Sequence, residues 1–249
     1  MKKYLRAMMM SFTMFCAVPC PFHTWDDAAR PLMTLFLPAV GVWIGGLWTL
    51  AAFAVRWFSL PAIIGGAILC AFPFLITGGI HFDGFLDVTD AVRSWRDPEE
   101  RRKILKDPHV GSFAVLFAVL LVMAQFALFT GTKKDADPFA LLLIAVVSRT
   151  AAALCVTVLR PMETSKYAGV YRKGIRKSHV IVLSLVLAAA VTLGFIFLGK
   201  FGFVSLGVIA GYLLFLIRAF RSLGGMSGDV SGYAMTIAEL CGIAVFALI

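Results

Sequence analysis

The sequence predicts an all-α, polytopic integral membrane protein of about seven transmembrane helices, whose polar segments 81–111, 159–178 and 218–229 all open at the cytoplasmic face and place any active site there. Three observations carry this. Mean hydropathy is +0.90 over 249 residues, which does not suit a soluble domain. Seven apolar runs are long enough to cross hydrocarbon: 32–55, 57–80, 112–130, 139–158, 179–199, 202–217 and 230–249. Of the 23 basic residues, 18 fall in alternate loops, four in the others, and one (Arg149) inside a run. That bias puts the N-terminus in the cytoplasm and the C-terminus outside. The net charge of +9 is therefore mostly topology and calls for a lipid bilayer rather than a nucleic acid.

Along the chain, Met1-Lys2-Lys3 and the apolar stretch through Val18 resemble a signal peptide. Pro19 and Pro21 interrupt the cleavage region, so a re-entrant or interfacial segment before the first span is the better reading. The five cysteines form no metal or redox spacing and read as small hydrophobes.

The second apolar run ends in His81-Phe82-Asp83-Gly84-Phe85-Leu86-Asp87-Val88-Thr89-Asp90. On a helix, Asp83, Asp87 and Asp90 fall within roughly 60° of arc. Like charges that close repel, so they want a divalent cation or another positive partner. A solvated acidic helix start would look similar. A hard-metal site for phosphate chemistry accounts better for three acids at a membrane boundary. His81, two residues before Asp83, is a candidate for ligation or proton transfer.

Next, Asp97-Pro98-Glu99-Glu100 reads as a helix start, with Asp97 as N-cap and Pro98 at the first position. The helix should run to about Lys106 and stop before Asp107-Pro108. In the fourth run, Arg149 is costly unless it faces a watery cavity or meets an anion, which makes it a candidate phosphate ligand. A structural pairing with an acid on another helix is the competing reading. Arg160 and Lys166 lie in the basic loop that follows and could neutralise phosphate oxygens. The sixth run is short and rich in glycine. Before the last run, Gly224-Gly225-Met226-Ser227-Gly228-Asp229 is a glycine-rich turn whose amides could cradle phosphate. Glu239, inside that last run, needs a cavity or a cation.

These residues resemble the cobalamin synthases (adenosylcobinamide-GDP ribazoletransferases), and the resemblance covers nearly the whole chain. His81 to Asp90 looks like the family's H-x-D-G-x-x-D-x-x-D signature. Lys106-Asp107-Pro108-His109-Val110-Gly111 is similar to its K-D-x-x-x-G segment. Gly224 to Asp229, with Gly232 and Glu239, is similar to its G-G-x-[TS]-G-D-x-x-G…E ending. Three positions depart from the pattern: Ala17 stands in place of a frequent arginine, Ala91 in place of glycine, and Thr236 in place of glutamate.

The resemblance implies a phosphotransferase made of one membrane-embedded domain, 1–249, in a bacterial or archaeal cytoplasmic membrane. A ribose hydroxyl of α-ribazole, or of its 5′-phosphate, attacks the cobinamide-linked phosphate of adenosylcobinamide-GDP. GMP leaves, completing the nucleotide loop of adenosylcobalamin. The motifs imply His81, Asp83 and Asp107 as catalytic residues, and Arg149 joins them as a candidate from its charge inside an apolar run. Asp83, Asp87 and Asp90 would hold Mg²⁺, or Mn²⁺ in its place. Gly224, Gly225, Gly228, Asp229 and Glu239 would bind substrate, and Arg160 and Lys166 are added to them as basic residues of the loop after the fourth run. No organic cofactor is implied, and a homo-oligomer is left open.

Two other readings compete. CDP-alcohol phosphotransferases also use aspartates on membrane helices, but Asp87-x-x-Asp90 here is followed by Ala91, and the later paired aspartates are out of register. An ion-coupled transporter would use Arg149 and Glu239 as intramembrane charges, yet the polar residues gather at one face and no duplicated half is evident.

Overall fold

A computed structural model describes residues 2–17, 25–133, 135–163 and 176–249. The described residues form ten α-helices, with no named strand among them. The first, α1 (Lys2–Phe15), has 14 residues. At 1.5 Å per residue it spans about 21 Å, too short to cross hydrocarbon. It buries Ala7, Met10 and Ser11 and packs on the 3-10 turn Arg30–Phe36. Arg6 is paired with Asp26 at 2.9 Å, and just past the helix the Ala17 amide donates to the Ile76 carbonyl at 2.7 Å. The N-terminal segment thus folds as a helix docked on the bundle.

The 3-10 turn runs directly into α2 (Leu37–Trp57), and α3 (Ala62–Ile76) follows. The run 57–80, expected as one straight span, is broken. α3 ends at Ile76, and α4 (Ile80–Arg93) leaves it at 90°. Gly78 and Gly79 supply the corner with φ of +63° and +76°, a left-handed backbone that costs glycine little. Next come α5 (Pro98–Ile104), α6 (Ser112–Gly131) and α7 (Phe139–Val158). The expected N-cap is present, because the Asp97 carboxylate accepts from the Glu99 and Glu100 amides at 2.9 and 3.1 Å. α5 stops at Ile104, two residues before the expected end.

The chain closes with α8 (Lys177–Leu198), α9 (Phe203–Leu223) and α10 (Gly228–Leu248). By length and hydropathy, five helices qualify as spans, or six if the bent α3–α4 pair counts as one. One of the five is the whole stretch Lys177–Leu223, 47 residues. Drawn straight it would reach about 70 Å, more than twice the hydrocarbon thickness. Gly199, with φ +56°, interrupts it, and both α8 and α9 pack against α7, so the stretch folds back as a hairpin.

Burial sorts the helices. In α10, 78% of the apolar window is buried, against 22% in α6 and 11% across α8–α9. α10 is thus the central post, packed by α4, α6, α7 and α9, while α6, α8 and α9 turn apolar faces outward. The two ends of the bundle differ in chemistry. At one end Lys200 reaches the Ile249 carbonyl at 2.7 Å, Lys133 reaches it at 3.2 Å, and Arg56 donates to the Ala136 carbonyl. The other end gathers α4, α5 and the start of α10. Introduced cysteines at Glu99 and Asp135 are therefore expected to react with an impermeant thiol reagent from opposite sides of the membrane. Labelling of both from one side would contradict this arrangement.

Candidate active site

The site is built where α4 crosses the start of α10. Gly84 sits on the backbone of Asp229: a Cβ there would lie 2.8 Å from the Asp229 carbonyl oxygen. The missing side chain lets the two helices touch, which places Asp229 beside Asp83. A second tie holds the crossing, as the Thr236 hydroxyl donates to the His81 carbonyl at 3.2 Å. Behind the acids, Phe74, Phe82, Phe85 and Tyr233 form a continuous aromatic row with centroids 4.9–5.9 Å apart, fixing α4 from its apolar side. Gly84→Val is expected to force α4 off α10, costing about 1–3 kcal/mol as overpacking. Thermal unfolding in detergent would show the loss, whereas wild-type stability would mean the helices do not meet there.

On α4, Asp83 is exposed and Asp87 and Asp90 are half-buried. Asp229, in the first turn of α10, is the fourth acid, and Asp83, Asp90 and Asp229 all act repulsively on the Asp87 carboxylate. Among the described residues, none of the four is in an ion pair. Nor, among those residues, do three His, Cys, Asp or Glu side chains converge tightly enough to enclose an ion. The four carboxylates form an open acidic face rather than a closed cage.

Asp107 sits beside this face through a neighbour. Its carboxylate accepts from the His109 amide at 2.9 Å and holds the His109 ring at Nδ1, 2.7 Å away. Those contacts keep the Asp107 carboxyl below the usual carboxylate range. It is His109, not Asp107, that lines a small crevice with Asp87, Asp90 and Gly111. The sequence reading passed over His109, although Asp-Pro-His two residues apart is a pattern in which a carboxylate turns back on its own loop.

The glycine turn is stitched down. The Met226 amide donates to the Arg160 carbonyl and the Met162 amide to the Met226 carbonyl, both at 2.9 Å. Gly224, left-handed at φ +85°, caps α9 by donating to the Phe220 carbonyl. Two amides expected to cradle phosphate are therefore already spent. Ser227 caps α10 by accepting from the Val230 amide at 3.1 Å. Gly225 packs on the backbone of Met162, while Gly228 is exposed at the head of α10. Basic groups surround the turn: Arg102 donates to the Leu223 carbonyl at 3.5 Å, and Arg160 lies over the Phe220 ring. Lys166 lies outside the described residues.

Arg149 and Glu239 are not part of this face. The Arg149 guanidinium meets the Glu239 carboxylate at 2.5 Å deep between α7 and α10, and the Ser148 hydroxyl donates to the same oxygen at 3.0 Å. Arg149 is 1% exposed and Glu239 9%. Of the two readings of Arg149, the pairing with an acid on another helix is the arrangement present in place of a phosphate contact, and Glu239 finds the cation it needs: each neutralises the other where an unpaired charge would be prohibitive.

His81 and Asp83, with Asp229, border a cavity of about 240 Å³ beneath α1. The His81 ring lies parallel to Phe15, centroids 6.0 Å apart.

A family model described as cobalamin-5-phosphate synthase matches residues 7–247. An adenosylcobinamide-GDP ribazoletransferase of Clostridium perfringens (strain SM101 / Type A) is 34% identical over 254 residues, covering 100% of both chains. The protein of that name from Clostridium botulinum (strain Alaska E43 / Type E3) is 31% identical, covering 98% of this chain and 97% of its own. That of Lachnoclostridium phytofermentans is 28% identical over 98% of this chain and 94% of its own. No solved structure matches. With motifs, fold and full-length relatives in accord, this chain is an enzyme of the cobalamin-5-phosphate synthase family.

Proposed function

We propose that the enzyme joins α-ribazole, or its 5′-phosphate, to adenosylcobinamide-GDP, forming adenosylcobalamin or its 5′-phosphate and releasing GMP, with the whole chain as one catalytic unit in the cytoplasmic membrane. The observation that carries this is the meeting of Asp83, Asp87 and Asp90 with Asp229 at one end of the bundle, free of ion pairs among the described residues.

The donor set fits Mg²⁺ or Mn²⁺, since both are hard ions that take oxygen ligands. Mg²⁺ in particular keeps several waters and binds through one or two carboxylates plus substrate phosphates, so an open acidic face suits it better than a cage. One or two carboxylates of the set Asp83, Asp87 and Asp90 would hold the ion at a time, with water and substrate phosphate completing its ligands and Asp229 alongside. When bound, it would neutralise diphosphate charge and orient the phosphorus for attack.

The chain's own residues do the rest. A ribose hydroxyl attacks the cobinamide-linked phosphorus, the bond from that phosphorus to the bridging oxygen breaks, and GMP departs with that oxygen. The hydroxyl proton must leave, and Asp83 at the cavity mouth and His81 behind it are placed to take it. Arg102 and Arg160 flank the glycine turn, where cations would stabilise the departing GMP phosphate. Asp107 acts through His109 by fixing its ring beside Asp87 and Asp90.

Vesicles containing the protein are expected to release GMP from adenosylcobinamide-GDP only when α-ribazole or its phosphate is added, and to stop when a chelator removes divalent ions. Release without any nucleoside would point to a hydrolase instead.

A further inference from the structure

The cavity beneath α1 is more than a vestibule to the acids. Its depth is apolar, walled by Phe15, Leu37, Val156 and Met235, while Asp83 and Asp229 stand at one side. One group in its wall has no structural explanation. The Thr34 hydroxyl, on a residue 2% exposed, has no hydrogen-bond partner, although its backbone carbonyl is used by the Leu37 amide. A buried hydroxyl left unsatisfied is costly, and a threonine in a helical turn can usually reach a carbonyl one turn back. Thr34 does not, and it lines the cavity.

We propose that this cavity receives the base of the nucleoside acceptor, a flat and largely apolar bicycle, with Thr34 Oγ1 donating to the one ring nitrogen that carries no ribose. The proposal rests on the transferase reading above and assigns one of its two substrates to a place. Size selects the base: about 240 Å³ admits a small heterocycle and excludes a corrin macrocycle. Chemistry selects it over guanine, which would bring several acceptors against a lining whose side-chain donors, Thr34 and His81 apart, reduce to the Ser231 hydroxyl, already engaged with Tyr212 at 3.1 Å. A benzimidazole-type base has no ring N–H once glycosylated and keeps a single acceptor nitrogen, matching a single free donor. The parallel Phe15–His81 pair supplies an aromatic wall for such a ring. A base seated there holds its ribose towards Asp83, where the attacking hydroxyl is needed.

The test is steady-state kinetics of vesicles containing the full chain, with two acceptors: α-ribazole and the matching indole α-riboside, in which carbon replaces the acceptor nitrogen. Thr34→Val keeps shape and removes the hydroxyl. It is expected to raise KM for α-ribazole about five- to tenfold, the worth of one neutral hydrogen bond. It should leave KM for adenosylcobinamide-GDP where it is, and it should not alter KM for the indole riboside. Val156→Phe, which fills the depth, should raise KM for both acceptors. Equal effects of Thr34→Val on both acceptors, or an effect on the corrinoid KM alone, would overturn the pocket assignment. If Thr34→Val fails to insert, the wild type decides: a KM about five- to tenfold lower for α-ribazole than for the indole riboside supports the pocket, and equal values defeat it. Absence of GMP release by the wild type with either acceptor would instead defeat the transferase reading itself.

Discussion

Asp87→Asn is expected to lower GMP release by roughly 10²–10³-fold while the protein still inserts and folds, the scale of losing one preorganised charge-stabilising group. The reasoning starts from repulsion. Asp83, Asp90 and Asp229 all press on Asp87, a repulsion that a divalent cation held there would relieve. Asparagine preserves size but removes charge, weakening the ion's hold without disturbing the packing of α4 on α10. Raising Mg²⁺ or Mn²⁺ should recover part of the loss, because weaker binding is offset by mass action. Near-normal turnover by Asp87→Asn at low Mg²⁺ would reject the metal assignment.

The second large effect is on stability. Arg149→Met should cost about 3–5 kcal/mol, because it leaves Glu239 charged and unpaired in the bundle interior. The double variant Arg149→Met with Glu239→Gln should recover much of that loss, since the uncompensated charge is gone. Thermal unfolding of the two singles and the double in detergent closes the cycle. Additive losses would show that the two side chains are not coupled as the structure places them.

The same pair shows where sequence reading stopped. Arg149 inside an apolar run was a visible anomaly, but its partner lies 90 residues away, and no local pattern chooses between an acid on another helix and a substrate phosphate. The aspartate face was legible because it is local: spacings of four and three on one helix fix the geometry before any tertiary contact forms. The α5 cap at Asp97 was legible for the same reason. The corner at Gly78-Gly79 was not, since hydropathy summed along 57–80 reports apolarity and not direction. Asp229 was singled out as a substrate-binding residue, yet its place among the acids depends on Gly84 letting two distant helices touch. The glycine turn looked open in sequence because the partner of its Met226 amide, the Arg160 carbonyl, comes from another loop.

The proposed reaction is bond-specific, with attack of the nucleoside expected at the phosphorus nearer cobinamide. Adenosylcobinamide-GDP labelled with ³²P at that phosphorus, incubated with α-ribazole and vesicles containing the protein, tests it directly. The label should appear in the corrinoid product, now carrying the nucleoside, and the released GMP should be unlabelled. Label recovered in a guanosine nucleotide, or a corrinoid product lacking the nucleoside, would contradict the account.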